Sequence, residues 1–506
     1  MKKKFNKIIL LIIASCFLWL LLNSFRYPSN VYYVQNPFIS LIVSVVILIA
    51  WYFMYMFLKR KIPEDLNRKY KIFLVFIYFI LVTIIQVFVL NNFSVEPGWD
   101  FGVVFNNAYS FVLNGSRDGA TYIEYFEYFP NNIMLFVLLV IFIKVGLAFS
   151  LSALQSAWIM NILFIDLALL LLFLVVNKRY GFKVSLFSLI ITLFFLPIFL
   201  YTPIFYSDTL SMFAGIGFIY LYLCLIENQA YRKKYIVLLI LFGLLAFFAK
   251  EIKVTSLIVL IAILFHFLLN SNLKKFVLSA FIICSSFALC SVTFKLLVIN
   301  NSSFAFVQTG HGSYPYTHWL MMGVEDIDVD NSERNSVGGY SSSDYALTRS
   351  YKTGKDAIRF NLEEYANRIK KMGVIGYFNY LTKKGVNAWS DGLYFSDVKL
   401  SLNSRHTDSK LYQFFLVDQS TRYVLIYFSQ GVQFAFLILL IGGSLIKKEE
   451  IDYVRLSLFG IMLFLLFWEN RSRYLLNFIP LFILVIIEFY QNIVNLKYIR
   501  LVKNKC

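Results

Sequence analysis

One aspartate, Asp100, stands in a setting suited to acid–base chemistry. It lies in the stretch EPGWDF at residues 96–101, just beyond a long apolar run and between two aromatic residues. Partial removal of water from a carboxylate raises its pKa toward the range in which it can take a proton from a substrate. Asp100 is therefore a candidate general base, and a solvated loop aspartate is the alternative interpretation. Glu96, four positions earlier, is a candidate for orienting a substrate.

Three cationic side chains occupy positions where charge is unexpected. Lys250 belongs to the segment AKEIK, which interrupts an otherwise apolar stretch at 236–269, and Arg471 and Arg473 precede the last apolar run. An ionised group at membrane depth costs about 2.5–3.5 kcal/mol on insertion scales, so such groups tend to be functional. Guanidinium groups also match the geometry of phosphate. We predict that these three residues bind a phosphate; a hairpin containing a Lys250–Glu251 pair, and snorkelling of the arginines, are the alternatives.

Three further residues are candidates for orienting a substrate. Asp208 lies in the segment YSDTL between two apolar runs, where capping of the following helix is an equally good explanation. His318 and Trp319 are neighbours in a long polar segment, and their rings suit contacts with phosphate and sugar. A buried structural histidine is the alternative for His318.

Metal and cofactor signals are weak. Asp326, Asp328 and Asp330 alternate in a spacing that hard cations can use, but no glycine and glutamate complete a calcium loop, so an exposed acidic turn is favoured. The five cysteines fall in or beside apolar runs and suggest neither a disulfide framework nor a thiolate site. The chain lacks the Walker A, dinucleotide-binding, HExxH and GxSxG patterns. The sequence does not indicate a divalent metal, although it leaves one possible, and it identifies no cofactor with certainty.

The composition requires that membrane helices position these residues. Of 506 residues, 59% are hydrophobic and only 15% are charged, and apolar runs of about 20 residues recur along the chain. The sequence predicts an all-α integral membrane protein with about twelve transmembrane helices and a long outer loop of mixed structure. The predicted spans lie near 8–24, 37–58, 72–90, 155–176, 184–202, 208–226, 236–249, 253–269, 275–297, 422–446, 453–468 and 472–492.

The net charge of +18 is concentrated in short segments between these spans, whereas the segment 298–421 has as many acidic as basic residues. This is the positive-inside distribution of a membrane protein and not a nucleic-acid surface, so the lipid bilayer is the expected partner. We predict that 132–149 is a juxtamembrane or re-entrant segment, because all the basic clusters then face the cytoplasm and the candidate residues face the other side. We therefore expect a multi-pass plasma membrane protein, bacterial by its composition, with both termini in the cytoplasm.

The predicted spans divide the chain into four regions. They are an N-terminal two-helix extension at 1–71, a transmembrane core at 72–297 with its outer loop at 91–154, an extracytoplasmic loop domain at 298–421, and C-terminal helices with a basic cytoplasmic tail at 422–506.

The order of these features resembles the C-type membrane glycosyltransferases over roughly residues 90–480. The matching segments are WDF at 99–101, the aromatic-Pro-Asn-Asn stretch at 125–132, YSDTL at 206–210 and RSRYLL at 471–476. The chain departs from many members in having one acidic residue instead of two adjacent ones in the first loop, and two spans instead of one before that loop.

The resemblance implies transfer of a sugar from a polyprenyl-phosphate donor to a cell-envelope glycan, teichoic acid or glycolipid on the extracytoplasmic face. It implies that Asp100 is the catalytic base, and that 72–297 is the catalytic core with a juxtamembrane helix in its first outer loop. A polysaccharide polymerase that joins repeat units is the nearest alternative. A lipid-linked oligosaccharide flippase or transporter is the alternative from another class, although few polar residues interrupt the spans.

Overall fold

The computed structural model describes residues 2–28, 33–63, 65–115, 125–228, 230–301, 304, 306, 312–328, 336–351, 354–446 and 452–503. Within these ranges the chain is helical and has no strand; an isolated bridge joins Val95 to Ser404. The all-α prediction is confirmed. The loop at 298–421, expected to have mixed structure, is built from helices and irregular turns in its described part.

The described helices are, in chain order, α1 (Lys2–Asn23), α2 (Pro37–Lys61), α3 (Arg68–Phe93), α4 (Trp99–Asn114), α5 (Ile133–Ala148), α6 (Ala153–Tyr180), α7 (Phe182–Thr192), α8 (Pro197–Leu200), α9 (Ser207–Leu210), α10 (Met212–Glu227), α11 (Arg232–Ile252), α12 (Leu257–Asn270), α13 (Leu273–Phe294), α14 (Tyr316–Met322), α15 (Ser342–Arg349), α16 (Gly354–Trp389), α17 (Ser396–Leu402), α18 (Lys410–Tyr412), α19 (Arg422–Leu445), α20 (Tyr453–Phe467) and α21 (Ile479–Lys503). Short 3₁₀ turns lie at Pro130–Asn132, Val254–Ser256 and Ser472–Phe478, and π turns at Lys295–Ile299 and Gln413–Val417.

Ten of the helical segments in the described residues are long and apolar enough to cross a membrane. Three of the twelve predicted spans correspond to shorter apolar helices, at Phe182–Thr192, Val254–Asn270 and Tyr453–Phe467. The segment Pro130–Ala148, predicted to be juxtamembrane or re-entrant, is also long and apolar enough to be among the ten. The remaining predicted spans each coincide with a long apolar helix.

Polar residues in the short connections determine where several of these helices begin. The side chains of Asn36, Asn67 and Asn272 each accept a hydrogen bond from a backbone N–H in the first turn of α2, α3 and α13. Ser152 and Gln155 form a reciprocal capping box at the start of α6. Each cap satisfies N–H groups that the helix itself leaves unpaired, so the polar connections start the helices at defined residues.

Helix α6 relates the two ends of the bundle. The Asn161 side chain donates to the carbonyls of Tyr201 and Thr202 at 2.8 and 2.9 Å. Further along α6, Lys178 pairs with Glu227 at the end of α10. The α6 segment between these contacts is about 25 Å long, so the 201–202 turn and the Lys178 pair lie at opposite ends of the bundle.

Both ends of α5 lie at the same end of the bundle as the 201–202 turn. Asn132, next to the first residue of α5, lines a cavity together with Tyr206. A short turn separates the last residue of α5, Ala148, from the start of α6. Along α6, Asn161 lies between that start and Lys178, so the start of α6 is at the Asn161 end of the bundle. Helix α5 therefore begins and ends at the cavity end.

The helices of the 298–421 region pack onto this same end. In α16, Arg368 is buried, pairs with Asp344 at 2.6 Å and donates to the carbonyls of Met321 and Val324. This pairing joins α14, α15 and α16 into one unit. At the other end of α16, Trp389 is buried against the bundle, so the unit is held firmly over the cavity.

Candidate functional site

A cavity of about 850 Å³ lies between the bundle and the α14–α16 unit. Its lining includes Asp100, Lys250, Arg471, Arg473 and Trp319, which come from four separate segments of the chain. The structure therefore brings together the proposed base, the three proposed phosphate ligands and one of the proposed orienting residues.

Asp100 is the second residue of α4 and is only partly buried. Its Oδ1 accepts a hydrogen bond of 3.2 Å from the Tyr125 hydroxyl, whose oxygen accepts one of 2.7 Å from the Asn132 amide. Burial, with the nearby Asp100 charge, raises the pKa of Tyr125 far above its ordinary value, so Tyr125 remains a donor. One carboxylate oxygen is thus held in place, and the side chain can present the other to a ligand in the cavity.

Lys399, which was not among the residues predicted from the sequence, lines the cavity next to Trp99 and Tyr206. We call the side of the cavity formed by these three residues its floor. The Lys399 Nζ donates to the Tyr206 hydroxyl oxygen at 2.9 Å and lies 3.0 Å from the centre of the Trp99 ring. Its side chain is almost fully buried. Burial, together with the positive charges of Arg473 and Arg471, lowers the pKa of Lys399 to about 5, so the amine is neutral at pH 7. An arriving anion would favour its protonation.

Asp208 lies beneath the floor instead of lining it. It is fully buried, with Oδ1 2.6 Å from the Lys253 Nζ and Oδ2 3.8 Å from the Arg473 guanidinium. Burial lowers the pKa of Lys253, and the charge of Asp208 opposes this change. The position of Asp208 makes it the countercharge of two cations in the cavity wall, an arrangement that the local sequence did not suggest.

The charge of the lining is strongly positive. Arg471 lies 3.8 Å from Glu469 and above the Phe395 ring, and Lys250 is about half exposed and pairs with Glu251. Among the described residues of the lining, six side chains are basic and two, Asp100 and Glu469, are acidic; with Lys399 neutral, five basic side chains still face two acidic ones. Such an excess, partly shielded from water, attracts phosphate groups. The six are Lys250, Lys253, Arg349, Lys399, Arg471 and Arg473.

One wall of the cavity is aromatic, and the Arg349 guanidinium lies over its Tyr128 ring. The Tyr314 ring lies 5.1 Å from Tyr128 and 5.0 Å from Tyr345, and Phe129 lies 6.3 Å from Trp319. These five side chains all line the cavity. Aromatic faces combine a large apolar surface with polar edges, which suits a ligand with both C–H faces and hydroxyl groups.

Like Asp208, two further residues proposed to orient the substrate do not line the cavity. Glu96 is exposed and pairs with Arg405 at 3.0 Å. His318 is buried behind the aromatic wall, with its Nδ1 2.8 Å from the Thr348 hydroxyl and its ring stacked on Tyr314 at 4.6 Å. Burial lowers the pKa of His318 to about 4, so its imidazole is neutral and supports the wall.

Backbone strain is concentrated around the floor. Four non-glycine residues in the described ranges have positive φ, and three of them border the site: Trp99 (51°), Tyr394 (51°) and Phe395 (65°). A left-handed conformation at a bulky residue costs about 1–3 kcal/mol and is typical of functional sites. Two of the three strained residues contact cavity side chains directly: the Trp99 ring faces Lys399, and the Phe395 ring faces Arg471.

The acidic run considered for a metal is partly occupied by a cation. Lys371 contacts both Asp326 and Asp328, and Asp330 lies outside the described residues. Among the residues that are described, no group of three or more His, Cys, Asp and Glu side chains has an arrangement that could hold a metal ion.

The low pKa of Lys399 has a measurable consequence for stability. Between pH 5 and the ordinary lysine pKa of 10.5, the unfolded chain binds a proton at this residue that the folded chain does not. The free energy of unfolding should therefore rise with pH across this window, by up to about 1.4 kcal/mol per pH unit from this residue. We expect Lys399→Met to remove this contribution between pH 6 and 9 in thermal unfolding experiments. A wild-type-minus-variant difference that does not change with pH would show that Lys399 stays charged.

Comparison with known proteins identifies the family to which this chain belongs. No match was found among curated proteins or among solved structures. A family model described as "Conserved hypothetical integral membrane protein" matches residues 3–493, a range that contains the whole candidate site. The chain therefore belongs to this conserved family of integral membrane proteins.

Proposed function

We propose that this protein is a membrane glycosyltransferase, which transfers a sugar from a polyprenyl-phosphate donor to a cell-envelope glycan, teichoic acid or glycolipid. The observation that carries the proposal is that one cavity contains both a positioned carboxylate, Asp100, and the cationic side chains of Arg471, Arg473 and Lys250. Glycosyl transfer from a lipid phosphate needs both, a base for the acceptor hydroxyl and positive charge for the departing phosphate.

The placement of the charged ends supports an extracytoplasmic site. The Lys178 and Arg179 cluster lies at the end of the bundle opposite the cavity, and by the positive-inside rule that end is cytoplasmic. Because α5 begins and ends at the cavity end, we assign it as a juxtamembrane helix, which leaves twelve crossings and both termini in the cytoplasm of a bacterial plasma membrane. Cytoplasmic nucleotide sugars cannot reach such a site, so the donor must be lipid-borne.

The proposed reaction is a single inverting displacement. Asp100, oriented by Tyr125, removes the proton of the acceptor hydroxyl as its oxygen bonds to the anomeric carbon of the donor sugar. The bond from that carbon to the phosphate oxygen breaks, and the negative charge that builds on this oxygen is stabilised by Arg471, Arg473 and Lys250. The products are the glycoside and polyprenyl phosphate.

Two features of the lining fit the two substrates. The aromatic wall, which contains Trp319, suits the sugar rings of an acceptor glycan. Val254 and Phe464 also line the cavity, at the ends of neighbouring apolar helices, and Val254 is 59% exposed. A polyprenyl chain can lie along these apolar side chains while its phosphate binds Arg471, Arg473 and Lys250 inside the cavity.

The test is mass analysis of envelope glycans from cells with and without the gene. We expect the deletion to remove the mass of one hexose or amino sugar per acceptor, and complementation to restore it. A polymerase would instead change the length distribution of the glycan. A flippase would leave its lipid-linked substrate chemically unchanged but stranded on the cytoplasmic side, and either result would overturn the proposal.

A further inference from the structure

An exposed apolar tip projects from the kink of α16. Val374 is 89% exposed, Ile375 78% and Phe378 55%. The kink is at Gly373, whose φ of +65° is a left-handed conformation that glycine adopts without strain. Three large apolar side chains with this exposure, grouped at one kink, indicate a surface that meets something other than water.

The second half of α16 passes across α1 at a steep angle. Trp389 packs on Phe17 with ring centres 4.8 Å apart, whereas Thr382 accepts a 3.2 Å hydrogen bond from the Trp19 indole, and the Phe378 ring lies 5.7 Å from Trp19. The contacting residues therefore span about 16 Å along the axis of α16 but only about 3 Å along the axis of α1. Two helices with such contacts are far from parallel.

This crossing determines where the tip lies relative to the membrane. Helix α1 contains the candidate span Asn6–Asn23, and Trp19 is a partly exposed residue about one turn from its end. A helix that crosses a membrane span steeply runs nearly parallel to the membrane plane. The tip lies beyond Trp19 on the side away from the buried Trp389, so it projects sideways from the bundle at the depth where interfacial aromatic residues are found.

We propose that Val374, Ile375 and Phe378 form an interfacial anchor that inserts into the lipid leaflet on the cavity side of the membrane. The exposed side chains of Lys370 and Lys383, on either side of the tip, reach the phosphate layer while the apolar tip lies among the upper acyl chains. The anchor does not depend on the proposed function.

The contacts of α16 give the anchor a structural role. Beyond the tip, the Tyr380 hydroxyl and the Lys384 Nζ both donate to the Gly323 carbonyl, at 2.8 and 2.5 Å. Gly323 directly follows α14, the helix that carries Trp319 in the aromatic wall. Lys384 also donates to the carbonyl of Trp468, another residue of the cavity lining. The anchor thereby holds the aromatic wall at a constant height above the membrane.

The test measures the depth of a spin label in full-length protein whose native cysteines are replaced by alanine. Ile375→Cys is labelled and reconstituted into vesicles of phosphatidylethanolamine and phosphatidylglycerol. We expect collisions with oxygen to exceed those with a water-soluble nickel complex, as for a lipid-exposed site. Leu362→Cys, at an exposed position in the first half of the same helix, is the matched control and should show the reverse.

Equal nickel accessibility at positions 375 and 362 would overturn the anchor. Low accessibility to both reagents at position 375 would also overturn it, because a second copy of the protein would then cover the tip. If Ile375→Cys does not yield a monodisperse protein, Val374→Cys serves instead, since its side chain is the more exposed of the two.

Discussion

Asp100→Asn is expected to abolish sugar transfer while leaving the protein folded. The amide cannot take the acceptor proton, and loss of a general base costs about 10²–10⁴-fold in rate. The amide oxygen can still accept the hydrogen bond from Tyr125, so the local structure should be kept. The measurement is single-turnover transfer from a polyprenyl-phosphate sugar by purified protein in vesicles, with the unfolding temperature recorded for both proteins.

Glu96→Gln is the matched control for this experiment. Glu96 lies in the same loop, but it is exposed, pairs with Arg405 and does not line the cavity. We expect its transfer rate to stay within about twofold of wild type, because an exposed ion pair contributes little. Full activity in Asp100→Asn would remove Asp100 from the mechanism.

Asp208→Asn is expected to lower the free energy of unfolding by about 3–5 kcal/mol, because it leaves buried cations without their countercharge. Asp208 is fully buried and faces both Lys253 and Arg473. Thermal unfolding of the purified protein in detergent measures the loss. The cavity should also lose its shape, so transfer should fall in parallel.

Two further variants separate this cause from a general loss of packing. Glu227→Gln removes a carboxylate whose pair with Lys178 is solvent-exposed, and should cost about 1 kcal/mol or less. The double variant Asp208→Asn with Lys253→Met removes one stranded cation and should recover part of the stability lost by the single variant. Similar losses for Asp208→Asn and Glu227→Gln would contradict the role assigned to Asp208.

Much of the candidate site was visible in the sequence because charge next to a membrane span is conspicuous. Asp100, Lys250, Arg471 and Arg473 each interrupt or border an apolar run, and all four line one cavity. Lys399 was not predicted, because it lies in a polar, charge-balanced region in which no local feature distinguishes it from the other lysines. Its burial arises from the Trp99 and Tyr206 rings, about 300 and 200 residues away in the chain.

Local pattern also could not tell which polar residues face the cavity. Asp208 and His318 both have aromatic or polar neighbours in the sequence, which led to the prediction that they contact a substrate. In the structure, Asp208 lies under the floor and His318 lies behind the aromatic wall. Which side of a short helix is buried depends on what packs against it, and those partners come from other parts of the chain. For Asp208 they are Lys253 and Arg473, and for His318 they include Thr348.

The sequence by itself determined that the chain is a bundle of membrane helices, where most of those helices lie, and that charge is concentrated at their ends. These properties follow from a local cost, since a polar backbone or charged side chain in lipid is unfavourable whatever its tertiary neighbours are. Only the tertiary structure decided which charged ends meet, which of them are neutralised by a buried partner, and which are left facing a cavity. Those outcomes depend on contacts between segments hundreds of residues apart, and the spacing of residues along the chain does not encode such contacts in a readable form.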